Sequence, residues 1–65
     1  MAQLSDLIIG HPEVETFDQL IDLVKHAGAS GEMFINFDVK PDYRDTPKNW
    51  QWILEGAFTR GLDYD

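Results

Sequence analysis

Histidines, serines and carboxylates are the residues of this chain that could do chemistry, and their spacing favours none. The two histidines, His11 and His26, lie far apart in sequence, and no cysteine is present. A general base needs a nucleophile or a second acid–base group beside it, and no serine stands in a recognisable catalytic setting. We therefore predict that the protein is not an enzyme and uses no cofactor.

Metal and phosphate sites are equally unsupported. Two histidines with scattered carboxylates match no common spacing of metal ligands, and the acids near Asp42 and Asp45 lack the regular pattern of a calcium loop. Residues 28–31, Gly-Ala-Ser-Gly, have no lysine after them and no strand before them. They predict a turn, not a phosphate-binding loop, and no metal site is predicted.

The chain is strongly acidic, with 12 Asp and Glu against 5 Lys and Arg and a formal net charge of −7 over 65 residues. Phosphate backbones and anionic membranes are repelled by such a surface, whereas a basic protein surface is attracted. The alternative is that the charge only keeps a small protein soluble. With no signal sequence and no apolar run of about 20 residues, we predict a cytoplasmic protein without direct nucleic-acid or membrane binding.

An α+β fold is predicted for a single domain over residues 1–65, in the order helix, helix, strand, helix. Residues 1–10 fit a short helix or a buried strand. Residues 16–28 predict an amphipathic helix that begins with a capping box, Thr16 and Gln19, and ends at Gly28. Its apolar positions form one stripe: Phe17, Leu20, Ile21, Val24 and Ala27.

The second half of the chain predicts a strand and a helix. Residues 32–40 alternate, which is typical of a half-buried strand, with Met33, Ile35, Phe37 and Val39 on the inner face. Residues 46–61 predict a helix capped by Thr46 and closed by Gly61, followed by a tail at 62–65. The apolar stripe of this helix comprises Trp50, Ile53, Leu54, Ala57 and Phe58.

A single strand needs a partner for its backbone groups. Residues 7–9 or 11–14 of the N-terminal segment are one choice, and the strand of a second copy across a two-fold axis is the other. The homodimer is slightly favoured, because a domain this small buries only about 60% of its unfolded surface on its own.

Two aromatic residues are predicted to stand outside the core. Trp50 and Trp52 differ by about 200° around a helix, so Trp52 points away from the stripe that contains Trp50. Phe34 lies on the polar side of the strand in the same way. Tryptophan is enriched among residues that dominate binding energy, so both rings are candidate contacts for a partner. The alternative is that the chain itself or a dimer mate covers them.

Acidic residues are the other candidate contacts. Asp18 and Asp22 lie on the polar face of the second helix, about 6 Å apart along its axis. Glu15 lies on the same side. Successive phosphates of a nucleic acid are spaced similarly, so this face could mimic a nucleic acid in a basic groove. An ordinary solvated helix face is the alternative. Tyr43, between Asp42 and Asp45, is predicted to lie at the rim of the same patch or in a plain polar loop.

Together these features predict a small acidic protein–protein interaction protein, an inhibitor that blocks a basic or nucleic-acid-binding surface of a larger host protein. A viral or mobile-element product in the host cytoplasm is the most specific version. The alternative is a self-associating regulatory subunit, such as an antitoxin or adaptor, with the aromatic residues buried between copies. The predicted partner-binding residues are Trp52, Phe34, Glu15, Asp18, Asp22, Tyr43, Asp42 and Asp45.

Overall fold

Three helices and a pair of very short parallel strands make up the protein, in a computed structural model that describes residues 2–62. The elements are β1 (Ala2–Gln3), α1 (Leu4–Gly10), α2 (Phe17–Ala29), β2 (Ile35–Asn36) and α3 (Trp50–Leu62). The predicted α+β class and the order helix, helix, strand, helix are confirmed. Residues 63–65, most of the predicted tail, lie outside the described residues, and Leu62 belongs to α3. No helix in the described part of the chain is long and apolar enough to cross a bilayer.

The strand prediction over 32–40 is correct only at its centre. Ala2 pairs with Ile35 and Gln3 with Asn36, and the Ala2 N–H donates to the Phe34 carbonyl at 3.0 Å. On one side the pairing is limited by its partner, because β1 ends at Gln3 where α1 begins at Leu4. Pairing within the chain through the N-terminal segment is therefore observed, but residues 7–9 and 11–14 do not form it.

Helix α2 begins where the sequence predicts and ends later. The Thr16 hydroxyl accepts a hydrogen bond from the Gln19 N–H at 3.2 Å, whereas the Gln19 side chain accepts from the Glu15 N–H at 2.7 Å. The helix continues past Gly28 to Ala29, and Gly31 is the true terminator, with a positive φ of 103°. The Gly31 N–H donates to the Gly28 carbonyl, and the Glu32 N–H donates to the Ala27 carbonyl. These are the two backbone hydrogen bonds of a Schellman motif, which satisfies the last carbonyls of a helix.

Helix α3 begins four residues later than predicted. Thr46 does not cap it, because the Thr46 hydroxyl accepts from the Tyr43 N–H at 3.0 Å and the Thr46 N–H donates to the Tyr43 carbonyl. The hydroxyl and the N–H of Thr46 thus both close the turn that begins at Tyr43, and neither is directed to α3. The helix starts at Trp50, and the Ile53 N–H donates to the Asn49 carbonyl at 3.2 Å.

The core lies mainly between α2 and α3. Most of the two predicted stripes is fully buried, whereas Trp50, Ile21 and Ile53 are partly buried and pack against it. The Phe37 ring meets the Trp50 ring edge-on, with centroids 6.0 Å apart. Met33 and Val39, predicted to face inward, are exposed, because the strand alternation extends over only part of residues 32–40. The buried hydrophobic residues are Leu4, Phe17, Leu20, Val24, Ala27, Leu54, Ala57 and Phe58.

Two glycines let the helices touch backbone to backbone. Gly28 and Gly61 are both buried, and each lies one residue before the last residue of its helix instead of terminating it. A Cβ added at Gly28 would lie 2.5 Å from the Phe58 carbonyl oxygen, and one added at Gly61 would overlap the Lys25 carbonyl oxygen. Both obstacles are backbone atoms, so any side chain at either position requires the helices to separate.

We expect Gly61→Ala to destabilise the protein by about 1–3 kcal/mol or more, the usual cost of forcing extra atoms into a packed site. In a domain of this size each kcal/mol lowers Tm by about 4–8 °C, so thermal unfolding followed by circular dichroism measures the effect.

Gly56→Ala is the matched control, because Gly56 is in the same helix and an added Cβ would contact only the end of the Arg60 side chain, at 3.4 Å. Higher helix propensity should raise stability there by up to about 1 kcal/mol. Equal Tm values for the two variants would show that α2 and α3 do not approach each other at Gly61.

Candidate protein-interaction surfaces

The two predicted aromatic contacts are exposed and adjacent. Trp52 is 75% exposed and Phe34 is 65% exposed, so no described part of the chain covers either ring. Glu55 and Thr59 line both the depression beside Trp52 and the one beside Phe34. The two rings therefore flank the same outward side of α3.

Two further apolar side chains extend this surface. Met33 is 69% exposed, and Leu62 is also exposed; both line the depression beside Phe34. The sequence pattern missed Met33, because strand alternation assigned it to the core. We call Met33, Phe34, Trp52 and Leu62 the aromatic face. Exposed large apolar side chains grouped on one side of a small protein are candidates for an interaction surface.

The three acidic candidates near α2 are exposed and unpaired within residues 2–62; Asp18 and Asp22 lie in α2, whereas Glu15 lies two residues before its first residue. Glu15, Asp18 and Asp22 have no lysine or arginine nitrogen within 4.0 Å in the described part of the chain, where the one close ion contact joins His11 and Glu13. Asp18 lies in the first turn of α2, where the positive end of the helix dipole stabilises its negative charge. Their negative potential is thus available to a partner.

Asp45 has an internal role that the sequence pattern did not reveal. Its carboxylate accepts hydrogen bonds from the Phe17 N–H at 2.6 Å and the Asp18 N–H at 3.4 Å. It therefore satisfies the first free N–H groups of α2 from 27 or more residues away along the chain. The bond from Phe17 is the main cause that lowers the pKa of Asp45 below its ordinary value.

Asp38 does the same for α1, whose N-cap residue Gln3 makes no side-chain bond to the helix. The Asp38 carboxylate accepts from the Ser5 hydroxyl at 2.5 Å and from the Ser5 N–H at 3.0 Å. These bonds, the hydroxyl first, lower the pKa of Asp38. Asp38 and Asp45, two of the twelve acidic residues, thus stabilise the fold.

The remaining candidates lie in the loop before α3. Asp42 is exposed and makes no side-chain hydrogen bond to any described residue. Tyr43 is half-buried and packs against the core, and burial raises the pKa of its hydroxyl. The loop is anchored through Asp45, which lies beside the backbone of Asp18. The structure thus brings Asp45 and Asp18 together. Asp42 stays on the surface, whereas Tyr43 packs against the core.

The histidines share one shallow depression between α1 and α2, which sequence separation did not suggest. His11, His26 and Glu32 are among its lining residues. The Nδ1 atom of His26 lies 2.9 Å from the Asp22 carbonyl oxygen, not its carboxylate, and that of His11 lies 3.0 Å from Glu13. Within residues 2–62, no three ligand-type side chains are grouped closely enough to hold a metal ion.

Comparison with known proteins gives no relative: no protein-family model, no curated protein and no solved structure matches this chain.

We expect Asp45→Asn to lower the stability of the protein at neutral pH and to reduce its loss of stability in acid. The folded-state pKa of Asp45 lies below the unfolded value of about 3.9, so its contribution is complete above that value and is lost as pH falls through the folded pKa. Urea unfolding at pH 7 and pH 3 measures both effects.

Asp42→Asn removes the same charge from the same loop and is the control. It should unfold like the original protein at both pH values. An Asp45→Asn variant that matches this control would contradict the capping role of Asp45.

Proposed function

We propose that this protein is a small acidic binding protein that covers a basic surface of a larger protein and blocks that surface. The observation that carries the proposal is the combination of an exposed aromatic face with carboxylates on α2 that have no ion-pair partner within residues 2–62, in a chain of net charge −7.

Electrostatic attraction comes first in the proposed mechanism. Glu15, Asp18 and Asp22 attract a basic surface and accelerate encounter, an effect that weakens as salt concentration rises. Because Asp18 and Asp22 are spaced about 6 Å along the helix axis, they fit a surface built to hold successive phosphates. A nucleic-acid-binding groove of the target is therefore the proposed site of inhibition.

Anchoring follows through the aromatic face. Burial of a tryptophan removes roughly 150–250 Å² of surface from water, and Trp52 is free to provide most of that area. Phe34 lies on the other side of Glu55 and Thr59 and widens the contact. The charges therefore set the rate and orientation of binding, and the rings set the lifetime of the complex.

The electrostatic step predicts that Asp18→Lys with Asp22→Lys weakens binding to the captured partner and reduces the salt dependence of binding. The control is Asp6→Lys with Glu13→Lys, which changes the net charge by the same amount on other exposed positions. Affinity capture from a host lysate identifies the partner, and titration of the purified pair at several salt concentrations gives the result. Equal effects of the two double variants would show that net charge, and not the α2 face, drives binding.

The anchoring step predicts that Trp52→Ala weakens the same complex by about 2–4 kcal/mol, as for a residue that dominates an interface. Ile9→Ala is the control, because Ile9 is 78% exposed but lies on α1, away from the aromatic face. Isothermal titration of both variants against the purified partner measures the difference. A Trp52→Ala complex as tight as that of Ile9→Ala would remove the aromatic face from the proposed function.

A further inference from the structure

The outward side of α3 is balanced in charge, unlike the chain as a whole. The depression beside Trp52 is lined by one acid, Glu55, and one base, Arg60, whereas the chain carries a net charge of −7. Two copies of an acidic protein repel one another over most of their surfaces. This side of α3 is therefore a place where two copies can meet without that repulsion.

Gly56 lies on the same side and has no internal reason to be glycine. A Cβ there would meet only Arg60 Nη1, at 3.4 Å, whereas Gly28 and Gly61 are required by the contact between α2 and α3. Glycine inside a helix lowers helix stability. A glycine at this exposed position does, however, allow another backbone to come close.

We propose that a second copy of this chain covers the outward side of α3, with the two α3 helices antiparallel and related by a two-fold axis at Gly56. Trp52 and Arg60 lie four residues before and after Gly56, about 6 Å in each direction along the helix. The two-fold axis therefore places each Trp52 ring beside Arg60 of the other copy, a favourable cation–aromatic pair. Glu55 of one copy lies within reach of the same guanidinium.

A second copy fits this side because a two-fold interface must be complementary to itself. One acid, one base and one ring on the same side of a helix meet that requirement. The rest of the aromatic face, Met33, Phe34 and Leu62, adjoins Glu55 and Thr59 and adds apolar area at the rim. The α2 carboxylates line neither depression of the aromatic face.

The dimer also bears on the proposed function, since it would hide Trp52 from a foreign partner. If both hold, dimer and complex exclude one another, and higher protein concentration reduces the fraction of chains ready to bind. The dimer is tested on the purified protein alone, whereas the proposed function is tested against a captured partner. A protein that does not dimerise therefore leaves the proposed function standing, and a protein that binds no basic partner leaves the dimer standing.

Sedimentation equilibrium with a reciprocal charge swap tests the proposal. Over about 1 μM to 1 mM protein, the original chain should form dimers. Arg60→Glu alone and Glu55→Arg alone should each raise the dimer dissociation constant at least about tenfold, because like charges then face each other across the axis. The double variant, Glu55→Arg with Arg60→Glu, keeps the net charge at −7 and should recover part of the dimer affinity, because the acid–base pair is restored whereas the cation beside Trp52 is not.

A chain that stays monomeric over this range would overturn the proposal, and so would single variants that dimerise like the original. A double variant that stays monomeric while the original chain dimerises would overturn the arrangement of charges across the axis.

Gly56→Ala supplies a second test that does not depend on charge. The variant should remain folded with an unchanged or higher Tm, yet its dimer should dissociate more readily because the added methyl groups meet at the axis. A Trp50→Phe background leaves Trp52 as the one indole of the chain, and its emission should shift to shorter wavelength as the dimer forms. Dimerisation that is unaffected by Gly56→Ala, or Trp52 emission that does not change with concentration, would contradict the proposal.

Discussion

The close backbone contact between α2 and α3 is the constraint on which the rest of the structure depends. Gly28 and Gly61 leave no room for a Cβ where the helices meet, so α3 has one possible rotation about its own axis. That rotation buries Leu54 and Ala57 completely. Trp52 then faces the opposite direction, and no rearrangement of its side chain brings it into the core. The exposed tryptophan is thus a consequence of how the core packs.

A second constraint ties the irregular half of the chain to the helices. Asp38 and Asp45 lie in the segment between β2 and α3, and each carboxylate satisfies free N–H groups at the start of a distant helix. Many small domains use cysteine cross-links for this purpose, and this chain has no cysteine. These hydrogen bonds also divide the acidic residues by role, because Asp38 and Asp45 serve the fold while Asp18 and Asp22 remain free on the surface.

Helical periodicity predicted the parts of the fold that local patterns determine. The stripes of α2 and α3, the Thr16 cap and the outward position of Trp52 follow from local patterns, whereas the sequence left open whether another part of the chain covers the Trp52 ring. The strand was overestimated because its length depends on a partner that ends at Gln3, and no local pattern records that. Threonine is a common capping residue, so the sequence predicts that α3 begins near Thr46. In the structure Thr46 bonds to Tyr43 instead, and the helix begins later, at Trp50.

Long-range contacts explain the other differences. Glycine near the end of a helical pattern resembles a terminator, and only the position of the other helix shows that Gly28 and Gly61 are packing sites. The capping bond from Asp45 to Phe17 joins residues too distant in sequence for any local rule. Trp52 and Phe34 could be predicted as surface residues but the aromatic face could not, since Met33 and Leu62 join them only through the fold.

One NOESY spectrum of the folded protein tests the central claim most directly, because it reports which protons lie near Gly61 and which lie near the Trp52 ring. The close contact predicts cross-peaks from the Gly61 Hα protons to Lys25 and to Gly28, and none from the Trp52 indole to the core methyl groups of Leu20 or Val24. Cross-peaks between the Trp52 indole and those methyl groups, without contacts between Gly61 and Gly28, would contradict the account.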